Sequence, residues 1–257
     1  MNAALQHVRH AFRQLSHSRG FAITAVLTLA FGIGANVAVF SVMNAVLLNP
    51  SGVPNPDRML TLRAHYNSPA ELSNINMSPP DFADGASATQ LLSSTAAMRV
   101  NNLSYLPDSL APERLVNAAV SWQFFDSFLA QPIMGRTFVA EEDVPGANRV
   151  VVLSNSTWKK RFGSDPNIVG RKLTLNQQSY EVIGVMGPEF GWPNQAEVWT
   201  PLALPPARLH DHDYRYNEYL FVLARMRPGV RVEQVNQYLA MKARENAASE
   251  GQNSYAA

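Results

Sequence analysis

Three short polar runs contain side chains that could carry out chemistry. Residues 210–213 read His-Asp-His-Asp and offer imidazole and carboxylate groups, which are ligands for divalent metals. Residues 141–143 are Glu-Glu-Asp and could bind a cation, and residues 159–161 are Lys-Lys-Arg and could contact an acidic partner. Each run has a simpler interpretation that we favour: a solvated loop, an acidic turn beside Pro145-Gly146, and the solvent-facing side of a helix.

The sequence lacks the motifs that commonly mark enzymes. It contains no Gly-x-x-x-x-Gly-Lys-[Ser/Thr] phosphate loop, no His-Glu-x-x-His and no Gly-x-Ser-x-Gly. It has no cysteine, which excludes disulfides, thiolate metal sites and cysteine nucleophiles. Because 21 basic residues balance 20 acidic ones, nothing favours a nucleic-acid partner. We therefore predict a protein that is not an enzyme, holds no cofactor and binds no nucleic acid.

One long uncharged stretch organises the chain. No charged residue occurs between residues 20 and 56, and residues 21–48 are mostly apolar. As a helix this segment would be about 42 Å long, against a hydrocarbon core of about 30 Å. A cleavable signal peptide has a shorter apolar core, and a buried helix of this length would need a large protein around it. We predict a transmembrane helix over residues 20–48.

The flanks of this stretch predict its orientation. Residues 1–19 carry three arginines and no acid, with apolar residues spaced as on one face of a helix. We expect an amphipathic basic segment in the cytoplasm, because positive flanks stay on that side of the membrane. Residues 49–257 then form a periplasmic domain of a single-pass protein in the inner membrane.

Small residues recur along one face of the predicted span. Ala30, Gly34 and Ala38 are four residues apart, with Gly32 and Asn36 beside them. Such patterns let a second helix approach closely in lipid, where an asparagine also prefers a helix partner to lipid tails. Glycine and alanine are common in membrane helices anyway. The pattern predicts a helix-packing face formed by these five residues.

The chain after the predicted span alternates strands and helices without the regular spacing of a doubly wound sheet. This pattern predicts a mixed α+β domain. A helix should begin after Ser78 and run towards Leu92, and another helix should begin after Ser154 and end at Gly163. Residues 176–179 should join two strands of a hairpin. The other predicted elements are strands over 58–63, 114–120, 150–153 and 219–224, and helical segments over 122–129 and from residue 232.

Several segments in order resemble one protein family. The predicted span, with Leu-Thr-Leu-Ala-Phe-Gly-Ile-Gly-Ala-Asn over residues 27–36, resembles the first transmembrane helix of MacB-like ABC transporter permeases, and is most similar to the orphan permeases abundant in acidobacteria. The periplasmic core domain of that family resembles the later segments Gly135-Arg-Thr-Phe, Glu141-Glu-Asp, Val152-Leu-Ser, Trp158-Lys-Lys-Arg-Phe-Gly, Gly170-Arg, Tyr180-Glu-Val-Ile-Gly-Val and Glu197-Val-Trp-Thr-Pro-Leu.

This resemblance implies a two-part periplasmic domain and a mechanical function. A membrane-proximal part would comprise residues 57–100 and 205–250, and an inserted β-rich subdomain would comprise residues 101–204. ATP hydrolysis would belong to an ABC ATPase subunit in trans, and the permease would relay its conformational cycle to the periplasm for efflux or lipoprotein traffic. Further partners would be other permease helices or a homodimer partner.

The resemblance also suggests a periplasmic protein partner. Phe190, Trp192 and Trp199 could form a partner-binding edge, or they could be core aromatics of the inserted subdomain. Permeases of this family continue into three further membrane helices, so we expect this chain to be a truncated or split permease. The alternative function is a stand-alone, single-pass periplasmic binding or sensing module without transport activity.

Overall fold

The computed structural model describes residues 54–66, 72–107, 111–193 and 196–249, together with helical positions at 20, 23–24, 26–31 and 33–34. The chain divides into two units, Met1–Gly52 and Val53–Ala257. In the first unit, the hydroxyl of Thr28 donates to the carbonyl of Thr24, one helical turn earlier. Within the described residues, no helix combines the length and the apolar character that a membrane crossing requires. The transmembrane helix over 20–48 therefore remains a prediction.

The second unit is built on one mixed sheet, which confirms the predicted mixture of strands and helices. The strands in its described part are β1 Met59–Leu62, β2 Ala64–Tyr66, β3 Leu72–Ile75, β4 Leu92–Leu106, β5 Glu113–Val120, β6 Pro132–Gly135, β7 Val150–Leu153, β8 Lys172–Leu175, β9 Gln178–Met186, β10 Val198–Pro201 and β11 Phe221–Met226.

Nine of these described strands form the sheet. Their order is β1-β11-β4-β5-β10-β7-β9-β6, and β8 pairs with β4 and β9. The pairs β5–β10 and β7–β9 are parallel, and the others are antiparallel. A separate hairpin joins β2 to β3.

Five α-helices accompany this sheet in the described residues of the unit. They are α1 Pro79–Ala86, α2 Phe124–Phe128, α3 Asn155–Phe162, α4 Pro206–His210 and α5 Val232–Ser249. Short 3₁₀ turns occur at Pro56–Arg58, Ala140–Glu142 and His212–Tyr214. The strands predicted over residues 58–63, 114–120, 150–153 and 219–224 correspond to β1, β5, β7 and β11.

Helix α1 begins where the sequence predicts and ends earlier. Ser78 caps it through a reciprocal capping box with Asp81. The prediction that the helix continues towards Leu92 is wrong, because the helix stops at Ala86 and Leu92 is the first residue of β4. The hydroxyl of Ser87 donates to the carbonyl of Asp84 at 2.6 Å and satisfies an acceptor that a further helical turn would have used.

Helix α3 and the hairpin after it follow their local signals. The Ser154 hydroxyl accepts the backbone N–H of Thr157, and Gly163 ends the helix with a φ of 60°. The side chain of Trp158 packs beside the same apolar cluster that contains Phe162. Strands β8 and β9 form the predicted hairpin, and its turn is shorter than the predicted four residues, because only Asn176 and Gln177 separate the strands.

Three apolar clusters form the core of this unit. We call them the α2 cluster, the α1/α5 cluster and the α3 cluster, after the helices that cover them. The α2 cluster contains three phenylalanines of α2 with Phe138 and Trp199. The α1/α5 cluster takes its residues from positions 62–97 and 202–235, with Ala119 added. The α3 cluster takes its residues from positions 103–198.

Candidate functional site

The aromatic side chains of the α2 cluster surround the short helix α2. Phe124, Phe125 and Phe128 are all buried, and with Ser127 they make four buried residues of the five in α2. Leu129 ends the helix in the left-handed conformation, with a φ of 54°. The ring of Phe124 lies 5.3 Å from that of Phe125 in an edge-on arrangement, which aromatic rings favour.

The three aromatics predicted as a partner edge or as core residues all contact this cluster. Trp199, on β10, is fully buried, and its indole N–H donates to the carbonyl of Trp192 at 3.2 Å. Phe190 and Trp192 are half-buried. Trp192 stacks on Phe124 with ring centroids 5.8 Å apart. Of the three, Phe190 and Trp192 alone present surface from which a partner could be contacted.

A half-buried carboxylate joins the ends of two parallel strands. Asp143 accepts the backbone N–H of Trp122, which follows β5, at 3.0 Å. Its other oxygen accepts the backbone N–H of Ala203, which follows β10, at 2.6 Å. Because the carboxyl ends of parallel neighbours lie at the same edge of a sheet, one side chain can reach both. The acidic run at residues 141–143 thus contributes a structural bridge through Asp143.

Burial raises the pKa of the Asp143 carboxyl above its ordinary value, although the backbone N–H donors act in the opposite direction. A carboxyl with a raised pKa in the folded state stabilises the fold below the pKa of the unfolded chain. That contribution is lost as the pH rises through the folded-state pKa. The stabilising effect of Asp143 is therefore greatest at acidic pH.

We expect Asp143→Asn to show this dependence. The amide keeps one acceptor but places an NH₂ group against a backbone N–H, which should lower the free energy of unfolding by about 1–3 kcal/mol at acidic pH. The difference from the unchanged chain should shrink as the pH rises from about 4 to 7. Urea unfolding of both proteins at several pH values measures this difference directly. A difference that grows with pH would contradict the raised pKa.

A line of polar side chains separates two of the apolar clusters. The Asn117 amide, on β5, donates to the Asn101 side chain on β4 at 2.8 Å and to the Thr200 hydroxyl on β10 at 3.0 Å. On the same face of β5, Leu115 belongs to the α3 cluster and Ala119 to the α1/α5 cluster. We call Asn101, Asn117 and Thr200 the polar seam. On this face of the sheet the strands continue through the seam while the two apolar clusters stay separate.

Comparisons with known proteins agree with this architecture. The family model described as "MacB-like periplasmic core domain" matches residues 22–241. The chain belongs to this family. The macrolide export ATP-binding/permease protein MacB of Aggregatibacter actinomycetemcomitans is 25% identical to it over 201 residues. That match covers 76% of this chain and 30% of the relative, so the chain corresponds to less than a third of that protein.

Solved structures of MacB-like periplasmic core domains and related proteins show a similar fold. A domain of a permease protein from Porphyromonas gingivalis superimposes with a TM-score of 0.57 at 17% identity, covering 78% of this chain and 84% of that one. The periplasmic region of MacB from Actinobacillus actinomycetemcomitans gives 0.53 at 18% identity, covering 78% and 88%. The extracellular domain of the transporter YknZ from Gram-positive bacteria gives 0.52 at 16% identity, covering 77% and 97%.

The other polar runs of this MacB-like periplasmic core domain serve local contacts. The carboxylate of Asp211 accepts the backbone N–H of Asp213 at 3.0 Å, in a turn beside α4. No group of three metal-ligating side chains comes together in the described residues. Arg161, from the basic run, forms ion pairs with Glu113 on β5 and with Glu197, the residue before β10.

The predicted packing face in the membrane is described only in part. Ala30 and Gly34 are helical and exposed within the first unit. A Cβ added at Gly34 would meet no atom within 4 Å, so a partner helix would have space to approach there. Gly32, Asn36 and Ala38 lie outside the described residues.

Sequence reasoning missed the roles of Asp143 and of the polar seam. Asp143 was visible as part of an acidic run, but nothing local shows that Trp122 and Ala203 converge on it. Asn101, Asn117 and Thr200 are distant in sequence, and they are brought together by the register of β4, β5 and β10. Their alignment depends on strand pairing rather than on any motif.

Proposed function

We propose that this chain is a permease subunit, or part of one, of a MacB-like ABC transporter. Its N-terminal helix would be anchored in the inner membrane, with the N-terminus in the cytoplasm and the core domain in the periplasm. The match of the family model to residues 22–241 carries this proposal, because it includes both the domain and part of the uncharged stretch.

The chain would act mechanically and would depend on another subunit for ATP. The MacB relative is named as an ATP-binding and permease protein. We propose that an ABC ATPase subunit in trans supplies the energy. The permease would relay its conformational change to the periplasmic domain for efflux or for lipoprotein and envelope traffic, with no covalent step.

The domain would transmit motion through two parts. We propose a membrane-proximal part at about residues 57–100 and 205–250 and an inserted part at about residues 101–204. The polar seam supports this division on one face of the sheet, because Asn101 and Thr200 lie near the two boundaries and the α1/α5 and α3 clusters are separate there. On the opposite face the α2 cluster takes residues from both parts and would hold them together.

The membrane helix would join further helices through its small-residue face. Ala30, Gly34, Ala38, Gly32 and Asn36 support close packing against other permease helices or a second copy of the chain. The half-buried rings of Phe190 and Trp192 would lie at the edge of a contact with a periplasmic protein.

Co-purification from membranes tests the proposed function. The full chain, tagged at its C-terminus and extracted in mild detergent, should retain an ABC ATPase subunit and its ATP hydrolysis. Gly34→Leu should reduce the retained ATPase by about tenfold if helix packing holds the complex. Ala25→Leu adds three carbons, one fewer than Gly34→Leu, on the opposite side of the predicted helix and should leave retention unchanged.

Two outcomes would contradict this account. A chain that is recovered from the membrane as a monomer, with no ATPase in any detergent or in nanodiscs, would favour the stand-alone binding or sensing module. Equal loss of the ATPase in Gly34→Leu and Ala25→Leu would show that general damage to the helix, and not a packing face, controls assembly.

A further inference from the structure

Arg225, near the end of β11, is a buried cation with one unused donor group. The residue is only 3% exposed. Its Nε donates to the carbonyl of Ser127, in α2, at 2.6 Å, and its Nη1 donates to the carbonyl of Pro54 at 3.0 Å. The third nitrogen, Nη2, is buried and has no hydrogen-bond partner. Because a guanidinium stays charged in a protein, this unpaired donor carries the full cost of its removal from water.

The charge of Arg225 is not neutralised by an acid. No carboxylate in the described part of the chain forms an ion pair with it, and the charged group that acts on it is a second cation, Arg58. Burial, followed by the like charge of Arg58, lowers the pKa of Arg225. Two neighbouring guanidinium groups without a counter-charge cost free energy, and a bound anion would recover part of it.

The two carbonyl contacts of Arg225 explain only part of this arrangement. The Ser127 carbonyl lies in the last turn of α2, where backbone acceptors need donors from outside the helix. A neutral side chain could supply such a donor without the cost of a buried charge. The positions of Arg225 and Arg58 therefore indicate a ligand that requires the charges as well as the hydrogen bonds.

The short segment before β1 covers this pair of arginines. Its residues Pro54, Asn55 and Asp57 are exposed, and Asn55 has a left-handed φ of 52°. Arg58 fastens the segment to β11, because its Nε and Nη2 donate to the carbonyl of Met226 at 2.9 and 2.6 Å. An anion that displaced the Pro54 carbonyl would reach Nη1 and Nη2 of Arg225 together, with the positive charge of Arg58 nearby.

These donors fit a terminal phosphate group. The two end nitrogens of a guanidinium form a fork that matches two oxygens of a phosphate or a carboxylate. Two cations favour a dianion, and a terminal phosphate carries a charge of about −1.5 to −2 at pH 7, whereas a carboxylate carries a single charge. We propose that Arg225 and Arg58 form a binding site for a terminal phosphate, supplied either by free phosphate or by a lipid such as phosphatidic acid. This site does not depend on the proposed transport function.

The thermal stability of the full chain in phosphatidylcholine nanodiscs tests this site. Sodium phosphate, titrated at constant ionic strength against sodium chloride, should raise the Tm with a saturable dependence, because a ligand of the folded state stabilises it. Isothermal titration calorimetry on the same sample gives the dissociation constant. Arg225→Lys keeps the positive charge but loses the fork, so it should weaken phosphate binding by about tenfold.

Arg114→Lys is the matched control. It makes the same change at an exposed arginine on β5 and should leave the dissociation constant unchanged. If Arg225→Lys does not fold, Arg58→Gln replaces it, and the loss of one partly exposed charge should weaken binding by about threefold. Unchanged affinity in the site variant, or an equal loss of affinity in Arg114→Lys, would overturn the proposal.

A second set of nanodiscs distinguishes the source of the phosphate. Nanodiscs that contain phosphatidic acid are compared with pure phosphatidylcholine in phosphate-free buffer. A higher Tm that depends on Arg225 and is produced by the lipid but not by free phosphate would identify a lipid headgroup as the ligand. The reverse result would identify a soluble phosphate. If neither source changes the Tm of the unchanged chain, the proposal is overturned, and Arg225 serves only to bind the carbonyls of Ser127 and Pro54.

Discussion

Gly184→Ala is expected to destabilise the core domain strongly. Gly184, on β9, pairs with Gly135 on the antiparallel edge strand β6. A Cβ added at Gly184 would lie 2.3 Å from the backbone oxygen of Arg136, far inside a van der Waals contact. The backbone of β6 would have to move, which would break the hydrogen bond from Arg136 N–H to the Ile183 carbonyl.

The expected loss is about 3–5 kcal/mol of the free energy of unfolding, with a fall in Tm of about 6–20 °C for a domain of this size. All four tryptophans lie between residues 122 and 199, so their fluorescence reports the unfolding of this domain within the full chain. Gly187→Ala is the matched control. Its Cβ would lie 3.6 Å from a methyl group of Ile133, an ordinary contact. Equal stability of the two variants would contradict the close approach of the β6 and β9 backbones at Gly184.

Trp199→Ala is the second substitution with a large expected effect. The Trp199 side chain is fully buried, and its ring lies 5.7 Å from Phe125 and 5.6 Å from Phe190. Removing it leaves a cavity under β10 and should lower the free energy of unfolding by about 3–5 kcal/mol. Urea unfolding followed by circular dichroism measures the loss, since the variant also removes a fluorophore.

This substitution distinguishes a core residue from a partner-binding residue. Val169→Ala, at a side chain that is 40% exposed, serves as a control and should change stability by less than about 0.5 kcal/mol. If Trp199→Ala left stability unchanged and weakened only the binding of a periplasmic protein, Trp199 would contribute to an interface instead. That result would require the indole to be exposed, contrary to the fold described above.

The elements that sequence reasoning predicted well carry their signals locally. Helix α3 has a serine cap at one end and a glycine in the left-handed conformation at the other, so its bounds could be derived from ten consecutive residues. The strand β7 is an uninterrupted run of valines and leucine, as expected for a strand that is paired with neighbours on both sides. Neither element needs information from distant residues.

The longest strand was missed because its signals are not local. Strand β4 contains serines, asparagines and small residues, and both Ala96 and Ala97 are buried although they face opposite sides of the sheet. Such a sequence shows no alternation, since β11 and β5 flank the strand and cores cover both faces. The overlong prediction for α1 has the same origin, because Leu92 looked like the end of a helix but is drawn into the sheet by pairing with Met226.

The candidate sites also combine residues that the sequence could identify with contacts that only the fold creates. The aromatic residues could be named from the sequence, but their burial could not, because it depends on where α2 packs. Asp143 and the polar seam each join segments that are far apart in the chain, as with Asp143 and Ala203, which are 60 positions apart. Contacts of this kind follow from the fold and not from a motif.

In the proposed function, an ABC ATPase subunit drives this domain. Nucleotide-dependent hydrogen–deuterium exchange of the purified complex in nanodiscs tests this coupling. We expect a bound ATP analogue to change amide exchange in the core domain, residues 54–249. An identical exchange pattern with and without nucleotide, in a complex whose ATPase is bound and active, would contradict the proposed function.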